Sequence, residues 1–159
     1  MGMVQSRVDN EAVYKVGCLG EISNYQKKKD GRILINLAGV TRFKILKEVT
    51  NNKLYREFSV DYKNFENDLI KETSQISMLT LIEKAKLFFK RNGLLLNWKE
   101  FNKLDQGQKI NTLAMISPIT NEEKQKILET VTINSKINVL EDIIEFYLHE
   151  VNFDNQTIQ

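Results

Sequence analysis

The apolar residues follow two different spacings along the chain, and the change falls near residue 66. From residue 2 to about residue 62 they alternate with polar residues or run together, and β-branched and aromatic types are frequent, which is typical of strands. From about residue 67 they recur every three or four residues, as they do in amphipathic helices. The pattern predicts an α+β fold, with a β subdomain over residues 1–66 and an α-helical subdomain over residues 67–159.

The first half contains strand candidates at residues 2–5, 16–25, 31–46 and 54–62. The run Gln26-Lys27-Lys28-Lys29-Asp30-Gly31 separates the second candidate from the third. Its Asp-Gly pair suits the left-handed backbone conformations that tight hairpin turns require. We therefore predict a β-hairpin over residues 16–46 with a basic tip, and the short connections favour antiparallel pairing throughout.

The second half contains helix candidates at residues 76–91, 98–104 and 106–116, followed by two more that begin with capping residues. Thr120 precedes one of them, and Glu123 three residues later completes a capping box. Ser135 is the predicted cap of the last helix. Gly93 and Pro118 are the stop signals of the first and third candidates, because glycine ends helices and proline disfavours helical geometry before it.

The third strand candidate is interrupted by Gly39 and Arg42. Sixteen residues are more than twice the length of a typical strand, so we expect a bend, and glycine is the residue that permits a bulge or corner. In an unbroken register, Arg42 lies on the face opposite Thr41 and Phe43. A bulge at Gly39 would swap the faces and turn Arg42 inward, where its guanidinium needs a carboxylate or several carbonyls. We interpret Gly39 and Arg42 as a structural corner.

Composition and charge exclude several classes of protein. The residues are 42% hydrophobic and 28% charged, as in ordinary globular proteins, and the formal net charge of +2 is too small to indicate a dedicated nucleic-acid binder. A single cysteine excludes an internal disulfide and fits a reducing compartment. No apolar run is long enough to cross a bilayer, and the N-terminus lacks a signal-peptide pattern, so we expect a cytoplasmic protein without membrane contact.

Motifs that would indicate catalysis are missing from the sequence. It contains no phosphate-binding loop, no G-x-S-x-G elbow, no H-E-x-x-H helix and no paired-cysteine zinc spacing. The acidic pairs Glu122-Glu123 and Glu141-Asp142 lie near predicted helix N-termini, where the helix dipole favours negative charge. We predict that the protein is not an enzyme and uses no cofactor or metal.

The basic tip is the part of the sequence that most resembles a binding surface. Positive charge next to an aromatic ring suits contact with single-stranded nucleic acid. The alternative is a solubilising tip that also prevents edge-to-edge strand pairing. The candidate binding residues are Tyr25, Lys28 and Arg32.

Several stretches together resemble the N-terminal substrate-binding domain of the Lon ATP-dependent proteases. They are YKVGCLGEI (14–22), DGRILINLAGVTRFKI (30–45), FFKRNGLLLNW (88–98), INTLAMISPITNEEKQKILE (110–129) and VLEDIIEFYL (139–148). The combination of V-G-C-x-G, G-V-x-R-F and L-A-M-x-x-P is what makes the resemblance specific. It covers about nine tenths of the chain.

The resemblance implies a PUA-like antiparallel β pseudobarrel followed by a helical bundle. It also implies recognition of unfolded or degron-bearing polypeptides, in association with a protease or chaperone, because this chain has no ATPase or peptidase motif. An RNA-binding PUA-like module is the alternative. Family members usually begin a few dozen residues earlier, so we expect an incomplete barrel, arising from a truncated chain or completed by an oligomer that pairs at the open sheet edge.

Overall fold

The computed structural model describes residues 1–7, 12–70 and 76–154, and of residues 150–154 only the backbone. Strands precede helices, so the predicted α+β class is confirmed. The chain divides into two compact units, Met1–Thr73 and Ser74–Gln159. The change of hydrophobic spacing placed the division at residue 66, which is seven residues before the observed division.

The described residues of the first unit form one antiparallel sheet of four strands: β1 (Gly2–Met3), β2 (Val16–Lys27), β3 (Ile33–Val49) and β4 (Glu57–Asp61). Neighbours in sequence are neighbours in the sheet, in the order β1-β2-β3-β4. The first and last strands are shorter than predicted, whereas the two central strands each extend beyond the predicted C-terminal end. The β2-β3 hairpin with its basic tip is confirmed.

The turn of this hairpin depends on one glycine. The Lys28 amide donates to the Arg32 carbonyl at 2.7 Å, and the Gly31 amide donates to the Lys28 carbonyl at 3.1 Å. Gly31 has a φ of 86°, in the left-handed region that only glycine enters at little cost. Of the Asp30-Gly31 pair, therefore, only the glycine adopts the left-handed conformation.

The bend predicted at Gly39 lies one residue later. Gly20 pairs with Gly39 and Leu19 pairs with Thr41, so Val40 is an extra residue in β3. Beyond this bulge the faces of the strand are exchanged. Arg42 therefore shares a face with Leu37 and Gly39, whereas in an unbroken register it would lie on the opposite face. A Cβ at Gly39 would meet only the Cys18 Sγ, at 3.9 Å, so neither space nor a positive φ requires glycine there.

A short 3₁₀ segment, Lys63–Leu69, follows β4 and was not predicted from the hydrophobic pattern. Phe65 is buried, and its ring lies 4.4 Å from the Arg42 guanidinium carbon. The Thr41 hydroxyl donates to the Phe65 carbonyl at 3.4 Å. The segment thus covers the part of β3 that follows the bulge, where Arg42 is 5% exposed.

The second unit consists of α1 (Leu79–Arg91), α2 (Trp98–Lys103), α3 (Gln106–Ile116), α4 (Asn121–Glu129) and α5 (Ile133–Asp154). Their apolar faces form one core, which includes Leu81, Phe89, Phe101, Ile110, Leu113, Leu140 and Ile144. The helices accordingly bury the stripes that their three- and four-residue spacing predicted.

Helix starts were predicted less well than helix faces. The Thr120–Glu123 capping box is present as predicted. The prediction of Ser135 as the cap of α5 is wrong, because the Thr132 hydroxyl accepts from the Ser135 amide at 3.1 Å and the helix begins at Ile133. α1 begins three residues after Ile76, whose amide donates to the Gln106 side chain.

Candidate functional site

Part of the β2-β3 hairpin extends beyond the rest of the sheet. β1 pairs with β2 at residues 18 and 19, with two more hydrogen bonds between Met1 and Gly20, and β4 pairs with β3 from Lys44 onward. Within the part of the chain that the structure describes, residues 21–27 and 33–40 therefore pair only with each other. We call residues 21–40 the hairpin arm.

The pairing register gives the arm two chemically different faces. Residues directly opposite each other share a face, and Ile22 pairs with Leu37, Tyr25 with Ile35, and Lys27 with Ile33. An extra residue in β2, Ser23, places Ile22 and Tyr25 on the same side. The apolar face consists of Ile22, Tyr25, Ile33, Ile35 and Leu37, with Lys27 at its tip end.

The opposite face is largely polar. It presents Glu21, Asn24, Gln26, Lys28, Arg32, Leu34, Asn36 and Ala38. Leu34 is its only large apolar residue, and it is 55% exposed. We call this surface the polar face.

The apolar face is open to solvent. Tyr25 is 71% exposed, Ile33 is 61% exposed and Ile22 is 49% exposed, while Ile35 and Leu37 are partly buried. Single exposed apolar residues are common on protein surfaces, but a contiguous group on one face of a projecting hairpin is typical of a binding surface. This face is the best candidate for a functional site in the first unit.

The three residues predicted to bind a ligand do not share one surface. Tyr25 lies on the apolar face, whereas Lys28 and Arg32 lie on the polar face. The Lys28 Nζ donates to the Gln26 Oε1 at 3.0 Å. The Arg32 Nε donates to the Asp30 Oδ2 at 2.8 Å, and this hydrogen bond is the main cause that lowers the pKa of Asp30. Arg32 is thus already paired within the turn.

Sequence reasoning missed most of the apolar face. The alternation of Ile33, Ile35 and Leu37 was visible, but it is equally typical of a strand face turned toward a core. The spacing of three between Ile22 and Tyr25 concealed their shared side, because the bulge at Ser23 breaks the period of two. Only the register of the two strands brings the five residues together.

The remaining chemistry of the described residues is limited. Nowhere in residues 1–7, 12–70 and 76–154 do three His, Cys, Asp or Glu side chains lie close enough to hold a metal ion. His149 lies 3.7 Å from Glu145 at the surface of α5. Over the same described ranges, each helix is too short or too polar to cross a membrane.

Comparison with known proteins identifies a family. A family model described as "ATP-dependent protease La (LON) substrate-binding domain" matches residues 3–145. The matched range includes the whole hairpin arm and helices α1 to α4. No match was found among curated proteins.

Two solved structures share the fold at low sequence identity. The N-terminal domain of a Mycobacterium avium complex Lon protease is 18% identical, with a TM-score of 0.59, and the match covers 91% of this chain and 77% of that one. A Lon N-terminal domain protein from Xanthomonas campestris is 12% identical, with a TM-score of 0.60, covering 88% and 74% respectively. Both likenesses support the fold described above.

Proposed function

Because the chain belongs to the family of ATP-dependent protease La (LON) substrate-binding domains, we propose that it binds unfolded or degron-bearing polypeptides through the apolar face of the hairpin arm. The module has no catalytic role of its own in this proposal. It acts in the cytoplasm and delivers bound polypeptides to a protease or chaperone during protein turnover.

The observation that carries the proposal is the exposed apolar face of the arm, whose two strands pair only with each other in the part of the chain that the structure describes. An unfolded polypeptide differs from a folded one by its exposed apolar side chains and its unpaired backbone groups. The arm offers a partner to both, since Ile22, Tyr25 and Ile33 present apolar surface while the arm's strand edges carry backbone donors and acceptors. Strand addition to such an edge is a common mode of peptide recognition.

The size of the face suits weak binding of short segments. Fully burying one large apolar side chain is worth about 1.5–3 kcal/mol, but association itself costs at least about 4 kcal/mol. Five side chains, of which two are already partly buried, therefore support modest affinity. Such affinity is what transient capture and release of many different polypeptides requires.

A direct test compares substitutions on the two faces of the arm. Tyr25→Ser with Ile33→Ser removes apolar surface from the apolar face, and Leu34→Ser removes a side chain of similar exposure from the polar face. Binding of a fluorescently labelled, reduced and carboxymethylated model protein is measured by anisotropy. We expect the double variant to weaken binding at least about tenfold, because losing even one buried apolar side chain, worth about 1.5–3 kcal/mol, corresponds to a factor of ten or more. Leu34→Ser should change binding less than twofold.

Two outcomes would contradict the proposal. One is that the wild-type protein does not bind the unfolded model protein at all. The other is that the substitutions on both faces weaken binding equally. Far-ultraviolet circular dichroism and urea titration of each variant show whether the fold is retained, which the exposure of all three positions leads us to expect.

The alternative, RNA binding, rests on the PUA-like barrel that the family resemblance implies and on the basic tip. Contacts of lysine with phosphate would make the affinity fall steeply as salt is raised, whereas apolar contacts would not. Measuring the affinity of an uncharged apolar peptide at 50 mM and 500 mM NaCl, beside that of a single-stranded RNA oligonucleotide, separates the two. We expect little change for an uncharged apolar segment.

A further inference from the structure

The apolar face ends, at the tip of the hairpin arm, in a concentration of positive charge. Residues 27–32 contain four cations, Lys27, Lys28, Lys29 and Arg32, and one carboxylate, Asp30. Lys27 lies on the apolar face itself, directly opposite Ile33. Within the described residues, neither Lys27 nor Lys29 has an ion-pair partner.

The other tip residues are already engaged. The guanidinium of Arg32 pairs with Asp30 at 2.6 Å, so the only carboxylate of the turn is balanced within the turn. Lys28 points its Nζ toward the Gln26 side chain on the polar face. Lys27 on the apolar face and Lys29 in the turn that follows it are therefore the tip cations that have no ion-pair partner among the described residues and no hydrogen bond on the polar face.

The opposite end of the apolar face carries less positive charge. There it reaches Gly20 and Gly39, which have no side chains, and the Met1 ammonium group donates to the Gly20 carbonyl at 2.6 Å. Beyond them, Arg42 is buried and paired with Asp68. A segment lying along the face therefore meets charged side chains, those of Lys27 and the neighbouring Lys29, at the tip end, and none at Gly20 and Gly39. From Ile33 to Leu37 the face spans four residue steps, about 13 Å at about 3.3 Å per residue.

We infer that the arm prefers short extended apolar segments that carry acidic residues at one end, with those residues placed against Lys27 and Lys29. This inference rests on the proposed function, and it names the class of polypeptide that is selected. An apolar stretch of about five residues covers the face, and aspartate or glutamate in the next one or two positions reaches the tip. Charge complementarity at the rim of an apolar surface contributes specificity more than affinity.

A polypeptide fits these features better than a nucleic acid does. The basic residues lie beside aliphatic side chains, and Tyr25 is the single aromatic residue of the face. Binding of single strands usually places successive bases on several aromatic rings. Isoleucine and leucine side chains offer apolar contact but no such stacking surface.

The experiment uses the whole chain and three fluorescently labelled peptides that share a five-residue apolar core. They end in three aspartates, three asparagines or three lysines. Dissociation constants are measured by anisotropy at 50 mM and 500 mM NaCl. We expect the aspartate peptide to bind about three- to tenfold more tightly than the asparagine peptide at low salt, and the lysine peptide to bind most weakly. At high salt the three should converge, because exposed charges are then screened.

Variants assign the preference to the tip. Lys27→Gln with Lys29→Gln should abolish the difference between the aspartate and asparagine peptides. Lys99→Gln with Lys126→Gln removes the same charge from two exposed positions of the second unit and should leave the preference intact. If the asparagine and aspartate peptides bind equally well, the inference is wrong.

The experiment distinguishes failure of this inference from failure of the proposed function. Equal binding of all three peptides, weakened by Tyr25→Ser with Ile33→Ser, would overturn the acidic preference and leave the polypeptide site standing. Absence of binding for all three would overturn both. If sedimentation shows a wild-type dimer that Tyr25→Ser with Ile33→Ser dissociates, or if an RNA oligonucleotide binds more tightly than any peptide, another occupant takes the face and the inference fails.

Discussion

Asp68 accepts hydrogen bonds from both the backbone and the side chain of Arg42. The Arg42 amide donates to its Oδ2 at 3.0 Å, the Nε donates to the same oxygen at 2.8 Å, and the Nη2 donates to Oδ1 at 2.7 Å. The carboxylate thus satisfies a strand amide just beyond the bulge, at the edge that β4 does not reach, and neutralises a nearly buried guanidinium. One side chain from the 3₁₀ segment fixes the base of the hairpin arm.

Removing this carboxylate should be among the most damaging single substitutions in the first unit. Asp68→Ala leaves a buried guanidinium without its counter-charge, and breaking a buried pair in this way costs about 3 kcal/mol or somewhat more. Asp68 is itself 21% exposed, so we expect the lower end of that range. Urea denaturation monitored by circular dichroism gives the free energy of unfolding.

The exposed pair between Arg56 and Glu48 supplies the matched control. Both side chains are 46% exposed, so Glu48→Ala should change the free energy of unfolding far less than Asp68→Ala does. Replacing both buried partners, with Arg42→Met and Asp68→Ala, should recover part of the loss. Equal effects of Glu48→Ala and Asp68→Ala on the free energy of unfolding would show that burial of the Arg42 charge does not make its ion pair more important for stability.

The Arg42 pair also shows where sequence reasoning succeeds and where it ends. The length of the strand candidate and Gly39 within it predicted a bend in β3. The period of two along a strand then predicted that a bulge would turn Arg42 inward, where it would require a partner such as a carboxylate. The partner itself could not be predicted, because Asp68 is 26 residues away in a 3₁₀ segment that has no distinct hydrophobic period. Contacts of this kind depend on the tertiary fold.

The candidate site was harder to predict than the core for a related reason. The apolar spacing of α1 and α5 leads correctly to a packed core, because helices of a small domain bury one stripe. The alternation of Ile33, Ile35 and Leu37 has the same appearance whether the face is buried or free. The sequence also does not indicate how far β1 and β4 reach along the two central strands, which decides that the arm extends beyond the rest of the sheet, because strand ends are poorly defined by sequence.

Gly17 is required by close packing, and Gly39 is not. A Cβ at Gly17 would lie 2.6 Å from the Met3 carbonyl oxygen and 2.7 Å from the Phe43 ring, and Phe43 is 4% exposed. Gly17→Ala should therefore lower the free energy of unfolding by about 1–3 kcal/mol through overpacking. Gly39→Ala, with open space around its Cβ, should change it by less than about 0.5 kcal/mol. Thermal or urea unfolding shows which variant is less stable. Gly39→Ala would be the less stable of the two if Gly39 were the essential corner.

Lys84 links α1 to α5 and should make stability depend on pH. Its Nζ donates to Glu141 Oε1 and Glu145 Oε2, each at 2.8 Å. The hydrogen bond from Lys84 lowers the pKa of Glu145, and the bonds to Glu141 and Glu145 raise the pKa of Lys84. A lowered carboxyl pKa contributes stability that is present above the usual value of 4.5 and is lost as pH falls through the folded-state pKa. A raised lysine pKa contributes stability that is present below 10.5 and is lost as pH rises through the folded-state pKa.

The measurable consequence is the difference between the wild type and Lys84→Met. Their free energies of unfolding should differ most near pH 7 and converge as the pH falls through the lowered folded-state pKa of Glu145, because that carboxylate is then protonated. Added salt at pH 7 should also reduce the difference, since the three side chains are partly exposed. A difference that stays constant from pH 7 to pH 3 would assign the effect of the substitution to lost packing of the lysine stem.

Ser117 has a buried hydroxyl with no hydrogen-bond partner among the described residues. Burying an unsatisfied hydroxyl costs about 1–3 kcal/mol, so Ser117→Ala should leave stability unchanged or raise it by about 1 kcal/mol. Thr120→Ala, three residues later, should instead lower stability by about 1 kcal/mol, because it removes the capping box of α4. Opposite signs in urea denaturation are the expected result, and a loss in both variants would mean that the Ser117 hydroxyl does have a partner.

The turn at the tip should control the order of the hairpin arm. Gly31 has a φ of 86°, and a Cβ there would meet no atom within 4 Å, so the cost of Gly31→Ala is purely conformational, about 1 kcal/mol. Gly31→Asn should cost less, because asparagine tolerates the left-handed region better than alanine.

The Lys28 amide donates to the Arg32 carbonyl, so its hydrogen exchange reports how often the turn opens. We expect this exchange to be about fivefold faster in Gly31→Ala than in the wild type. The same variant should weaken peptide binding, since a loosened turn no longer holds Tyr25 opposite Ile35. Equal exchange rates in the alanine and asparagine variants would show that the left-handed conformation of Gly31 does not hold the turn.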